Sequence, residues 1–142
     1  MFIKIDITSA VPVYAQIVDQ IKHLVATGVM KSGDSLPSLR ETAMLLRVNP
    51  LTVAKAYKQL EIEGLIETQH GKGSFISNKA KPVVEDYKNK MIEKSINKLL
   101  FDAFNVNMSI DDLQKIIESK IDSAKSGKLD FYIERKSDDE NK

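Results

Sequence analysis

Cysteine is absent from the 142 residues. That removes disulfides and thiolate-bound zinc. Histidine is almost absent, and His23 and His70 alone make no histidine-rich metal site. No cofactor is expected. No apolar run approaches the roughly 18 residues of a membrane span, so no membrane partner is expected either. The opening Met1-Phe2-Ile3-Lys4-Ile5-Asp6 alternates apolar and charged residues and lacks the apolar core of a secretory signal. A cytoplasmic location is the expectation. Catalytic arrangements are missing too. There are no carboxylates clustered with a nucleophile, no phosphate-cradling loop after a strand and no metal-ligand spacing. Gly71-Lys72-Gly73 is too short for a nucleotide loop. An enzyme is not expected.

Charge of one sign is scarce in excess, with a net +1. Its distribution says more. Residues 1–81 carry ten Lys/Arg against seven Asp/Glu, and residues 82–142 carry eleven against thirteen. The basic half is the better candidate for a phosphate backbone, although a bias this small also occurs in proteins that bind no nucleic acid.

What is present is punctuated helical periodicity. Phe2 to Ile7 alternates as a short strand would, with Ile3, Ile5 and Ile7 on one face. Pro12 suits a helix start. Ile17, Val18, Ile21, Leu24 and Val25 then form one apolar stripe, which Gly28 ends. Leu36-Pro37 is extended. Ser38 and Glu41 form a capping-box pattern, opening a short helix with Leu39, Ala43 and Leu46 inward. After a tight connection at Arg47-Val48, Asn49 reads as an N-cap and Pro50 as the first helical residue. This third helix runs to about Glu63, with Val53, Ala56, Tyr57 and Leu60 inward. Leu65–Thr68 and Ser74–Ser77 read as strands joined by a Gly-containing hairpin loop.

Three helices and a hairpin, in that order, describe an N-terminal winged helix-turn-helix, with the third helix entering the major groove. The fold class expected is mainly α with a small β-hairpin. Opposite its apolar stripe, the third helix presents Leu51, Thr52, Lys55, Lys58 and Gln59, a set suited to base edges and phosphates. Blander readings stand beside these. They make Arg40 a surface partner of Glu41 or Glu61, Lys58 a solvated lysine, and Asn49 a cap alone. Tyr57 and Phe75 read as core residues.

The runs Leu36-Pro37-Ser38-Leu39-Arg40-Glu41 and Val48-Asn49-Pro50-Leu51-Thr52-Val53 resemble the signature of GntR-type regulators. Ala56-Tyr57, Leu60-Glu61, Gly64-Leu65-Ile66 and the hairpin Gly71-Lys72-Gly73-Ser74-Phe75-Ile76 fit the same pattern. The resemblance keeps order and spacing over residues 11–78. The Val-Asn-Pro turn and short helical tail are similar to the YtrA subfamily in particular. The resemblance implies DNA contacts from Arg40, from Asn49, Leu51, Thr52 and Lys55 on the recognition helix, and from His70, Gly71 and Lys72 at the wing tip. Two positions depart from the pattern. Leu51 stands where a polar residue is frequent, and His70 where arginine is frequent. Leu51 cannot hydrogen-bond a base, but it can touch a thymine methyl.

The expected organisation is a DNA-binding domain over 1–78, a linker over 79–82, a helical dimerisation region over 83–127, and a tail over 128–142 with a disordered end. The C-terminal region holds two amphipathic helices broken at Asn105-Val106-Asn107, with Ser109 capping the second and Gly127 ending it. Two helices cannot enclose their own apolar faces. Met91, Ile96, Leu99, Leu100, Phe104, Leu113, Ile116, Ile117 and Ile121 therefore need cover, either from a second copy or by folding back on the winged domain. The expected partners are double-stranded DNA and a second copy of the chain. The sequence names no effector, and about sixty C-terminal residues are too few for the large effector domains of other GntR-like branches. The expected function is a homodimeric repressor acting on a pseudo-palindromic operator. The resemblance implies a membrane-transporter operon as target. The competing function is a protein-interaction module on the same fold.

Overall fold

The computed structural model describes residues 3–128. The expected disordered end of the tail lies outside these residues. The chain divides into two compact units, one reaching to Ile92 and the other starting at Glu93.

The first unit opens with a difference from expectation. No strand forms over residues 3–7, because no second strand among the described residues lies beside this segment to accept its amides. Glutamine side chains do so instead. Lys4 N donates to Gln20 Oε1 at 2.8 Å, and Asp6 N donates to Gln16 Oε1 at 2.9 Å. The same two side chains return hydrogen bonds to the Lys4 and Asp6 carbonyls. Ile3 and Ile5 pack against the core, while Ile7 is left exposed.

Both glutamines belong to α1 (Val13–Ala26), which buries Ile17, Val18 and Ile21. Next, α2 (Leu39–Leu46) is fixed by the full capping box of Ser38 and Glu41. Of its expected inward residues, Ala43 is buried and Leu46 packs against the core, while Leu39 in the first turn is not covered. Thr42 is buried too. Arg47 then takes a left-handed conformation (φ 55°), and the chain re-enters a helix within three residues. The third helix, α3 (Pro50–Glu63), starts at Pro50 and buries Val53, Ala56, Tyr57 and Leu60. Gly64 ends it at φ 88°, a backbone region that glycine occupies at no steric cost.

The hairpin pairs β1 (Ile66–Gln69) with β2 (Gly73–Ile76), antiparallel, with Ile66 opposite Ile76. Each strand sits within one residue of its expected place. The outer edge of β2 is also occupied. Leu36 N donates to Ser74 O and Ile76 N donates to Asp34 O, each at 2.8 Å, and Ser35 bridges Phe75. A two-stranded ribbon is marginal alone; here the 33–36 segment ties it into the domain.

The expected linker over 79–82 is partly helical. Ala80 is buried, and Val83 and Val84 pack against the same core, so α4 (Lys81–Asn105) begins at Lys81. Pro82 is tolerated because first-turn amides have no intrahelical acceptor anyway. The helix continues past Ile92 into the second unit. There it ends at Asn105, the chain turns through Asn107 at φ 57°, and α5 (Ile110–Lys125) starts with the Ser109 side chain accepting from Asp112 N. Among the described residues of this unit, Ala103 and Leu113 are the buried apolar ones. Among the described residues the fold is five helices and one antiparallel hairpin.

Candidate nucleic-acid interface

The centre of the site is the angle between α2 and α3, and one hydroxyl fixes it. Tyr57 on α3 donates to the Pro37 carbonyl at 2.8 Å and lies 2.9 Å from the Thr42 hydroxyl on α2. Thr42 is fully buried and Tyr57 nearly so. Burial pushes the Tyr57 phenol above its ordinary value, the Glu41 carboxylate adds to this, and the Thr42 hydrogen bond partly opposes it. Each buried polar atom here has a partner, so the pair adds directional hold to apolar packing. At the far end of α3, Glu63 forms an ion pair with Lys22 of α1 and accepts from Gln59. Burial pushes the Glu63 carboxyl up, but these two partners and Lys90 outweigh it and hold it below the usual value.

With its inner stripe committed, α3 exposes Leu51 (77%), Lys55 and Lys58. Thr52 and Gln59 are half-buried. The Asn49 side chain accepts from Leu51 N at 2.8 Å, so the capping role is realised. Arg40 is exposed on α2. Neither carboxylate considered for it is engaged with it. Glu41 accepts from Ser38 N, and Glu61 pairs with Lys58 at 3.5 Å. That second pair ties up the Lys58 charge in part. Lys55 lies 4.0 Å from the centroid of the Tyr14 ring.

Two open grooves flank the start of α3. Arg40, Ala43, Met44, Val48 and Pro50 line one of about 470 Å³. Pro12, Val13, Tyr14, Leu51, Thr52 and Lys55 line the other, of about 390 Å³. The structure thus brings Arg40 beside the helix start on one side, and Leu51, Thr52 and Lys55 together on the other. His70, Gly71 and Lys72 are exposed at the hairpin tip, with Gly71 and Gly73 at φ 75° and 95°. Lys72 N donates to Gln69 O across that turn.

The sequence matches the family profile of bacterial regulatory proteins of the gntR family over residues 13–76. It is 43% identical over 126 residues to the HTH-type transcriptional repressor YtrA of Bacillus subtilis, covering 89% of this chain and 97% of that one. This chain belongs to the GntR family. Among solved structures, this GntR chain is similar to a transcriptional regulator from Oenococcus oeni, with TM-score 0.69 and 38% identity over 84% of this chain and 99% of that one. It is also similar to YtrA from Sulfolobus acidocaldarius, a GntR-family transcription factor, with TM-score 0.53 and 40% identity over 66% and 99% of the two chains. The protein is therefore a DNA-binding transcriptional regulator of GntR type. That family is one of regulators and not of enzymes.

Sequence reasoning missed three features of this site in a GntR chain. Thr42 reads as a surface polar residue until Tyr57 is seen to need a buried partner, which is the signal that could have found it. Met44, 79% exposed beside Arg40, looks like a core position by residue type alone. The contact of Lys55 with Tyr14 joins α1 to α3 and has no signature in local spacing.

Of the residues expected to pair two copies, Met91, Ile96, Leu99, Leu100, Phe104, Ile116, Ile117 and Ile121 are between 36% and 78% exposed in the single chain. Leu113 is 4% exposed, so it is already covered in the single chain and is no open contact for a second copy. Ile92, Phe101, Val106 and Ile110 are further exposed apolar residues of the same helical region, outside the set expected at the interface. No helix among the described residues is long and apolar enough to cross a membrane.

Proposed function

We propose that this GntR regulator is a cytoplasmic homodimeric repressor that reads a pseudo-palindromic operator. In this reading α3 enters the major groove, with Asn49, Leu51, Thr52, Lys55 and Lys58 at base edges and phosphates. Arg40 binds phosphate or a guanine edge, and His70, Gly71 and Lys72 bring the hairpin tip to the minor groove. The observation that carries it is the two-sidedness of α3. One stripe is wholly committed to the core, while the other leaves Leu51, Lys55 and Lys58 in solvent.

Residues 1–78 act as the DNA-binding domain and 83–127 as the dimerisation region. The support for the second assignment is energetic. Fully burying a large apolar side chain is worth about 1.5–3 kcal/mol, and Ile96, Leu99, Leu100, Phe104, Ile116 and Ile121 are more than 40% exposed in the single chain. A two-fold partner covers them with the same surface and sets two recognition helices about one turn of DNA apart. Repression is the activity printed for the Bacillus subtilis relative, and it is carried to this chain as part of the proposal. A membrane-transporter operon is the target class that the YtrA resemblance implies.

A gel-shift titration with duplexes selected from a random pool tests the reading. A phosphate-contacting reader loses affinity steeply as salt rises. Absence of salt-sensitive duplex binding at low ionic strength would leave the fold serving a protein partner instead.

A further inference from the structure

We propose that Tyr14 is a positioning residue for DNA binding, holding the Lys55 ammonium in place through its ring. The inference rests on the reading of α3 as the DNA-facing helix and adds to it a residue from α1.

The two exposed lysines of α3 are held differently. Lys58 pairs with Glu61 at 3.5 Å, so part of its charge is spent inside the protein. Lys55 has no carboxylate within ion-pair distance among the described residues, and its ammonium stands 4.0 Å from the Tyr14 ring centroid. A ring face attracts a cation without neutralising it. The full charge of Lys55 therefore remains available to a phosphate, while its flexible four-carbon stem is restricted beforehand. Restricting a long side chain before association lowers the entropy lost on binding. Tyr14 suits this task because its ring is half-buried and packed against the core, so the platform is rigid. Both residues line one groove with Leu51 and Thr52, so the held ammonium lies at the base-facing end of α3.

The test is a double-mutant cycle on the full chain, with a duplex that the wild-type protein selects from a random pool. Affinity and the salt dependence of affinity are measured for Lys55→Met, Tyr14→Leu, Tyr14→Phe and the Tyr14→Leu/Lys55→Met double variant. Lys55→Met is expected to weaken binding and reduce the salt slope by about one phosphate contact. Tyr14→Leu should weaken binding about three-fold, the size expected of an exposed cation–π contact, with the salt slope unchanged because the charge is still present. Tyr14→Phe keeps the ring and should restore wild-type affinity. In the Lys55→Met background, Tyr14→Leu should change nothing further.

An equal loss from Tyr14→Leu in both backgrounds would mean that Tyr14 acts only on the fold, and would overturn the proposal. So would a Tyr14→Phe variant as weak as Tyr14→Leu, since the hydroxyl would then be the active group. If Lys55→Met changes neither affinity nor slope while the wild type binds, Lys55 is no phosphate contact and the positioning role falls with it. If the wild type selects no duplex, the DNA-facing reading of α3 fails first.

Discussion

The hydroxyls of Thr42 and Tyr57 lie 2.9 Å apart inside the first unit, and this contact ties α2 to α3. Tyr57 spends its single O–H as a hydrogen-bond donor to the Pro37 carbonyl, so Thr42 donates to Tyr57. Removing the Tyr57 hydroxyl strands a fully buried Thr42 oxygen.

Tyr57→Phe is therefore expected to destabilise the protein by about 1–3 kcal/mol, the usual cost of an orphaned buried polar group. Urea unfolding reads this directly. The same hydroxyl predicts a pH dependence. Burial raises the Tyr57 phenol above its ordinary value near 10, so the folded chain holds this proton more tightly than the unfolded one. Its stabilising contribution is complete below pH 10 and is lost as pH climbs from there through the raised folded value. The decline should be shallower in Tyr57→Phe. Equal slopes in the two proteins would assign the alkaline loss to other groups.

Asn49 combines a cap with a candidate DNA contact, and two substitutions separate them. Asn49→Ala loses the hydrogen bond to Leu51 N and should cost about 0.5–2 kcal/mol. Asn49→Ser keeps a good capping oxygen, so thermal stability should stay near wild type. A fall in operator affinity for Asn49→Ser at unchanged stability identifies the contact with DNA. Wild-type affinity would restrict Asn49 to capping.

Arg40→Ala and Thr52→Ala alter side chains that carry little of the core. Both variants should fold and sediment as wild type while binding selected duplexes more weakly. For Arg40, loss of a bidentate guanine contact would cost about 1–3 kcal/mol and relax preference at one base position. Loss of a phosphate contact would weaken all duplexes alike. Unchanged binding in either variant removes that residue from the interface.

Leu99 is 41% exposed in the single chain. Leu99→Asp places a charge where the proposed partner helix must pack, and desolvating an unpaired carboxylate is prohibitive there. Sedimentation should show a monomer that retains its helical circular dichroism. A wild-type protein that already sediments as a monomer would refute the helical interface.

The elements most legible in the sequence are those whose ends are marked chemically. The Ser38–Glu41 box, the Asn49-Pro50 start and Gly64 place α2 and α3 almost to the residue, because caps answer to local hydrogen-bond needs. The stripe Val53, Ala56, Tyr57, Leu60 gives the buried face of α3 for a similar reason. Its opposite face exposes Leu51, Lys55 and Lys58 as read. Legibility ends where a distant partner decides. The alternation of Ile3, Ile5 and Ile7 looks like a strand, yet Gln16 and Gln20 take up its amides. Residues 79–82 look like a linker, yet the anchoring of Ala80, Val83 and Val84 on the core carries the helix into them. Leu39 looks inward by type, but the core covers Thr42, Ala43 and Leu46 further along the same face and leaves this first-turn residue exposed.

The backbone of residues 33–36 laid along β2 has an effect on how copies of this chain meet. A bare two-stranded ribbon offers unpaired amides on both flanks, and either flank can template a strand from another molecule. Here the β2 flank is already hydrogen-bonded to its own chain. That flank is therefore shut to a strand from another molecule, which lowers the risk of ribbon-to-ribbon adhesion between copies.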